Sequence, residues 1–204
     1  PEKLLTMAAA KMENVKSCQL NVVTDGPNGP DVEQIIIQHI DKKEMSIYSN
    51  AGKNNRSLIT FKQGKAETFN NFPNGRWSKQ GETSFEALGQ ADLNTPVFDL
   101  QQAIQTDALQ HVSVREEDRQ IVIAGKTPPV TSKSKGLFGQ TNQMSVEADF
   151  TITLDKNSGY MTRVYLESVA THNGKARTMK MDMTFSKYNE ADHIMTLEQV
   201  KQLQ

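Results

Sequence analysis

Toward its C-terminal end the chain alternates apolar and polar residues so regularly that three strands can be read from it. Val146, Ala148, Phe150, Ile152 and Leu154 alternate with Glu147, Asp149, Thr151, Thr153 and Asp155. The run Asp155–Lys156–Asn157–Ser158–Gly159 has turn composition. Tyr160, Thr162, Val164, Leu166, Ser168 and Ala170 then alternate with Met161, Arg163, Tyr165, Glu167 and Val169. Asn173–Gly174 is a strong hairpin signal, and after it Met179, Met181, Met183 and Phe185 alternate with Lys180, Asp182, Thr184 and Ser186. Side chains on a strand point to opposite faces with period two, so each strand has an apolar side and a wet side. The strands run to about ten residues, against a usual mode of about five or six. An apolar face of that length has to be covered or used.

Upstream the period changes twice. Leu4, Leu5, Ala8, Met12 and Val15 recur at three- and four-residue spacings and predict an amphipathic helix near 2–17. From Cys18, Leu20 and Val22 the period is two, up to a turn over Asp25–Pro30. Val32–Ile40 predicts a strand apolar on both faces, and Met45, Ile47 and Tyr48 another. Leu58, Ile59 and Phe61 lead through Gln63–Gly64 to Ala66, Thr68 and Phe69, a hairpin. Asn74–Gly75 turns again just before Trp77, and 82–94 is irregular. Thr95–Pro96 supplies a hydroxyl cap and a first-turn proline, and Val97, Leu100, Ile104 and Leu109 give a buried stripe, so a second helix is expected near 96–109. Val112, Val114, Ile121 and Ile123 predict two strands joined through Glu116–Glu117–Asp118. The stretch 126–145 reads as a long polar loop with one apolar pair, Leu137–Phe138, at its middle. Leu197, Val200 and Leu203 in the tail suit a turn or two of helix.

Short connections between so many strands predict a mainly antiparallel sheet, with the helices as its natural cover. The expected fold class is α+β: one domain over 1–204, with a single large curved, mainly antiparallel sheet and helices packed on its concave face.

Composition narrows the function. The 204 residues suit one core. With 23 basic and 24 acidic residues well mixed, there is no basic stripe for nucleic acid. No run of about 18 apolar residues is present to span a membrane. The one cysteine, Cys18, starts an alternating strand and reads as a buried structural thiol. His39, His111, His172 and His193 are scattered, with no metal-ligand spacing, so no metal is expected. No nucleophile elbow, phosphate loop, dinucleotide fingerprint or HExxH helix occurs, so no catalytic residue and no cofactor can be named.

What remains are apolar candidates. Methionine is over-used in the predicted strands, where β-branched residues are more usual. Its flexibility suits a deformable apolar cavity and also suits ordinary core filling. Met45, Phe61, Met181, Met183 and Phe185 are the cavity candidates, and Trp77 is either the cap of an opening or a core aromatic. Leu137 and Phe138 are lid candidates.

The phrase Ala10-Lys11-Met12-Glu13-Asn14-Val15-Lys16-Ser17, ending a leading helix just before a strand, resembles small cell-surface lipoproteins of Gram-positive bacteria. So does the strand Met179–Phe185 with Lys187-Tyr188-Asn189 after it. Those proteins are similar to the LolA, LppX and LprG lipoproteins, whose fold is an incomplete antiparallel barrel with helices plugging its mouth. The resemblance covers most of the chain in order and length of elements. It implies a sheath for acyl chains or another apolar ligand, a lipid anchor upstream of Pro1, and a place on the outer face of the cell membrane. The expected partners are therefore a hydrophobic small molecule or lipid and the membrane. A protein partner is the expectation if the helices fill the concavity and the protein is instead a surface interaction module.

Overall fold

The computed structural model describes residues 2–26, 29–41, 44–51, 55–72, 75–83, 110–135, 141–172 and 175–203. They form helix α1 (Glu2–Glu13) and strands β1 (Ser17–Gly26), β2 (Gly29–Asp41), β3 (Glu44–Asn50), β4 (Arg56–Lys62), β5 (Lys65–Asn71) and β6 (Trp77–Thr83). Strands β7 (Gln110–Glu116), β8 (Gln120–Lys126), β9 (Val130–Lys135), β10 (Thr141–Asp155), β11 (Met161–His172) and β12 (Lys175–Ser186) follow, then a short helix α2 (Leu197–Gln202). The strands pair in the order β6-β5-β4-β3-β2-β1-β12-β11-β10-β8-β7, with β9 beside β10 off that path. The ladders of β3 with β2 and β4, and of β10 with β8, β9 and β11, are antiparallel. The expected helix near 96–109 and the pair Leu137–Phe138 lie outside the described residues.

Contacts divide the chain into two compact units. The first comprises Pro1–Ala9, Val23–Asp31 and Val97–Met183, and the second Ala10–Val22, Val32–Pro96 and Thr184–Gln204.

In the first unit, Ile152 sits opposite Ile123 on one side and Val164 on the other, and all three are buried. Phe150 lies between Gly125 and Leu166, and Leu154 faces Ile121. The wet side carries the charges: Asp182 accepts two hydrogen bonds from Arg163, at 2.8 and 2.5 Å, and Lys180 pairs with Glu167 at 3.8 Å. Strict alternation puts Met161 on that wet side. A register shift between Thr153 and Leu154 instead sets Met161 opposite Leu154, and it is fully buried. A bulge of this kind re-aims a side chain without breaking the ladder. The Asp155 turn forms as its composition suggests. The Asp155 carboxylate accepts from the Ser158 N–H and hydroxyl, both at 2.7 Å, which holds it below the usual carboxylate range, and Gly159 takes φ 72°.

The long loop expected over 126–145 is corrected. Within it, Val130–Lys135 and the start of β10 form an antiparallel ladder from Val130↔Val146 to Lys135↔Thr141. Backbone bonds make that ladder, so no apolar alternation announces it. Along its 15 residues β10 pairs first with β9 and then with β8. Pro128 and Pro129, which have no N–H to give, fall at the break between the two.

The second unit buries β3 on both sides. Met45 and Ile47 point one way, opposite Phe61 and Ile59, while Ser46 and Tyr48 point the other, opposite Thr60 and Leu58. The Gln63–Gly64 hairpin turn takes φ 54° and 79°, the two left-handed positions that a tight hairpin needs. On the Tyr48 side, Val200 of α2 completes a buried cluster with Tyr48 and Leu58, and Ile36, Phe69, Trp77, Met195 and Leu197 pack around it. Helix α1 stops at Glu13, short of the expected 17, although Ala8, Met12 and Val15 keep their buried stripe. It ends there because the Lys16 N–H donates to the Asn189 side chain (2.6 Å) rather than to the helix, and the Ser17 carbonyl accepts from Asn189 N–H (2.8 Å).

Two outcomes test these packing statements. A Cβ added to Gly125 would lie 2.7 Å from Cζ of Phe150 and 3.2 Å from Val112. Gly125→Ala should therefore destabilise the protein by about 1–3 kcal/mol in chemical denaturation, and adding Phe150→Leu should recover part of the loss. No loss would mean the ring does not lie over the glycine. Burial pushes the Cys18 thiol up to about 12. Its folded form therefore holds a proton that the unfolded thiol gives up near about 8.5, so this group's stabilising contribution falls as pH rises through that interval. A thiol reagent at pH 8 should leave Cys18 unmodified in the native protein and label it in denaturant; rapid native labelling would contradict its burial.

Candidate functional site

The apolar side of β10–β12 in the first unit changes character along its length. The pairing of Arg163 with Asp182 and of Glu167 with Lys180 fixes the wet side, so Met181 and Met183 share the other side with Val164 and Leu166. Met183 is 7% exposed, Met181 is half-buried, and Met179 is 46% exposed. The neighbouring strands follow the same trend. Phe150, Ile152 and Val164 are buried, whereas Val146, Ala148, Leu166, Ser168 and Ala170 are half-buried. The strip thus loses its cover toward the end where β11 turns into β12.

From Phe150 and Val164 to Met179 the strip carries no ionisable side chain, and Arg177, exposed, follows Met179 on the same side of β12. The strip's one hydroxyl, on Ser168, donates to the Met179 carbonyl at 3.3 Å. Such a surface offers only apolar contact, with about 0.8 kcal/mol gained for each methylene removed from water. The wet side has an open hollow lined by Thr151, Arg163 and Tyr165, but the Arg163 guanidinium is already engaged by Asp182. Among the described residues no group of three His, Cys, Asp or Glu side chains is placed to hold a metal ion, and no helix is long and apolar enough to cross a membrane.

The sequence-derived candidates separate. Met45 and Phe61 are direct cross-strand partners on one side of the second unit, both buried. Trp77 does not share that side. It pairs with Asn71 in β6–β5 and packs with Phe69 against Tyr48, Leu58 and Val200, with the Arg56 guanidinium 5.9 Å from its ring centre. Its place after a turn could not tell which face it would take, because that depends on the parity of two hairpins. Met181 and Met183 belong to the first unit's strip, while Phe185, buried on the same side of the same strand, belongs to the second unit. Leu137 and Phe138 lie outside the described residues.

Two features went unread in the sequence. The exposure of Met179 has no sequence signal, because alternation gives the side and not the cover. The role of the tail did have one: Thr196-Leu197-Glu198-Gln199 is a capping box, and the Thr196 hydroxyl accepts from Gln199 N–H (3.3 Å) while Gln199 Oε1 accepts from Thr196 N–H (2.8 Å).

No family model matches the chain, and no curated protein matches it. Among solved structures it is similar to the crystal structure of the lipoprotein LppX from Mycobacterium tuberculosis, with a TM-score of 0.54 at 11% identity over 95% of this chain and 97% of LppX. An outer membrane lipoprotein-sorting protein domain from Vibrio parahaemolyticus gives 0.35 at 8% identity, covering 97% and 94%. A LolA superfamily protein from Nitrosomonas europaea gives 0.30 at 10% identity, covering 96% and 93%. The two lower scores carry no weight, and at this identity the LppX likeness speaks for fold alone. The chain has a large antiparallel sheet and a fold like that of LppX.

Proposed function

We propose that this protein is a non-catalytic extracytoplasmic lipoprotein that binds a lipid or another hydrophobic ligand against the apolar side of β10–β12. The observation that carries the reading is the fall in cover from Met183 through Met181 to Met179 on a strip that is apolar but for Ser168, with Arg177 beyond its open end. A soluble protein that leaves a graded apolar strip on a long sheet has a place for an acyl chain to lie. The likeness in fold to LppX, a lipoprotein, supports the same reading. In it, residues 1–204 act as one domain with a curved sheet, the helices lie over the concave face, and a lipid anchor upstream of Pro1 holds the protein at the outer face of a Gram-positive cell membrane. Met181 and Met183 line the ligand's path, and Leu137 and Phe138 serve as its lid. In the second unit, Met45, Phe61 and Phe185 are the candidates for apolar lining.

A second reading, a surface interaction module with a filled core, draws on the second unit, where Met45 and Phe61 are 8% and 7% exposed. The two are separated by experiment. Protein purified from its source host should carry extra mass in native mass spectrometry that organic extraction removes, and the extracted protein should then bind an apolar dye. Met181→Trp should block the dye at little cost in stability, because Met181 stands where the strip opens. Met183→Trp should cost about 1–3 kcal/mol by overpacking. A ligand-free protein that binds no dye, with both variants equally destabilised, would replace the carrier with the interaction module.

A further inference from the structure

The strongest unexplained chemistry lies on the Tyr48 side of the second unit. Arg56 and Asn71 are cross-strand partners on β4 and β5, and Asn71 is in turn the partner of Trp77 on β6. Asn71 is 4% exposed, yet neither atom of its carboxamide has a hydrogen-bond partner. Nε of Arg56 is likewise buried and unpartnered, although Nη1 of the same guanidinium donates to the Leu203 carbonyl at 2.7 Å. More than nine in ten buried polar groups are paired, so three orphans on two adjacent side chains need a reason.

Among the described residues the cover over this side is short. Helix α2 is six residues long and contributes one fully buried side chain, Val200, with Leu197 and Met195 packed at the margin. Apart from those contacts it is held by the Ser46 hydroxyl, which accepts from Met195 N–H (2.9 Å), and by the Arg56–Leu203 bond. A helix this short has almost no stability of its own. The segment 195–203 thus shields apolar surface and engages Arg56, while the Arg56 Nε and the carboxamide of its cross-strand partner Asn71 stay buried and unpaired. Its release would return those groups to water, and a different occupant could pair with them.

We propose that residues 195–203 are a releasable strap over a peptide-docking face formed by Tyr48, Leu58, Phe69 and Trp77, with Arg56 and Asn71 as its polar anchor. The partner is a short amphipathic polypeptide segment. It places two apolar side chains where Leu197 and Val200 now sit, and presents a carboxamide or peptide group to Asn71. A carboxamide fits because it accepts from Asn71 Nδ2 and Arg56 Nε and donates to Asn71 Oδ1, the donor and acceptor pattern that the strap leaves unmet. A carboxylate would satisfy the donors and leave Oδ1 orphaned.

Hydrogen exchange on the intact wild-type chain tests the strap. The Val200 and Leu203 amides should exchange at least a hundredfold faster than those of Tyr48 and Leu58, reporting local opening of the strap rather than global unfolding. Asn71→Leu, which removes both orphan atoms at similar volume, should slow the strap amides at least tenfold. Equal protection of strap and sheet, or faster strap exchange in N71L, would overturn the proposal. Docking is tested with the full chain carrying Leu197→Ser and Val200→Ser, probed with a fluorescent peptide of the sequence of residues 194–203. The peptide should bind this variant saturably and wild type at least tenfold more weakly, because the tethered strap competes. A second peptide with Leu203→Asn should gain at least fivefold over the first, and lose that gain when N71L is added to the variant chain. No saturable binding, or an unchanged gain in N71L, would contradict the docking face. Should the double variant fail to fold, the wild-type exchange rates still decide whether the strap opens.

Discussion

Everything in this protein depends on the length of its antiparallel ladders. Strand β10 runs 15 residues and β11 and β12 run 12 each, so the apolar side they share is longer than the row of residues that ends up buried. Because side chains alternate, a strand that extends one residue further adds either to the greasy side or to the wet side, and cannot avoid both. The wet side is resolved by paired charges, Arg163 with Asp182 and Glu167 with Lys180. The apolar side is resolved only in part, with a core at Ile152, Val164 and Met183 and an uncovered end at Met179.

The same constraint has the opposite outcome in the second unit. There β3 buries Met45 and Ile47 on one side and Tyr48 on the other, and the second side is closed by a piece of tail with a single buried valine. That closure is economical in apolar contact, and beside it Asn71 and Nε of Arg56 stay buried without partners. One sheet fold thus carries two apolar surfaces of different kinds. The first is a mainly apolar strip whose one hydroxyl, on Ser168, is bonded to the backbone, suited to a featureless acyl chain. The second is a small patch beside a donor–acceptor pair, suited to something with a backbone.

Much of this was legible before any coordinates. The meander from Val146 to Phe185, the Gln63–Gly64 hairpin, the strands around Val114 and Ile123 and the leading helix all follow from periodicity and turn chemistry. What failed was whatever periodicity does not encode. The sequence of 130–135 has a single apolar residue, Val130, and no alternation, so a segment that forms a backbone ladder reads as loop. Met161 changes side through a bulge that leaves no compositional trace. For Trp77 periodicity left open the cap of an opening or a core aromatic, because the face of a residue beyond two turns is set by register, and its neighbours are Tyr48 and Leu58 rather than Met45 and Phe61. Met181 and Met183 were placed on the correct side of their strand by alternation, but only the fold distinguishes the half-covered one from the buried one.

The nine methionines provide a direct readout of the central claim, that the uncovered end of the β10–β12 strip receives an apolar ligand while the closed faces do not. With methyl-labelled methionine, the protein would be titrated with a lysophospholipid below its critical micelle concentration and followed by NMR. The account predicts saturable shifts of the Met179 and Met181 methyl signals, a smaller change at Met183, and none at Met12 or Met161, which are fully buried. Unchanged Met179 and Met181 signals, or shifts spread evenly over all the methionines, would contradict it.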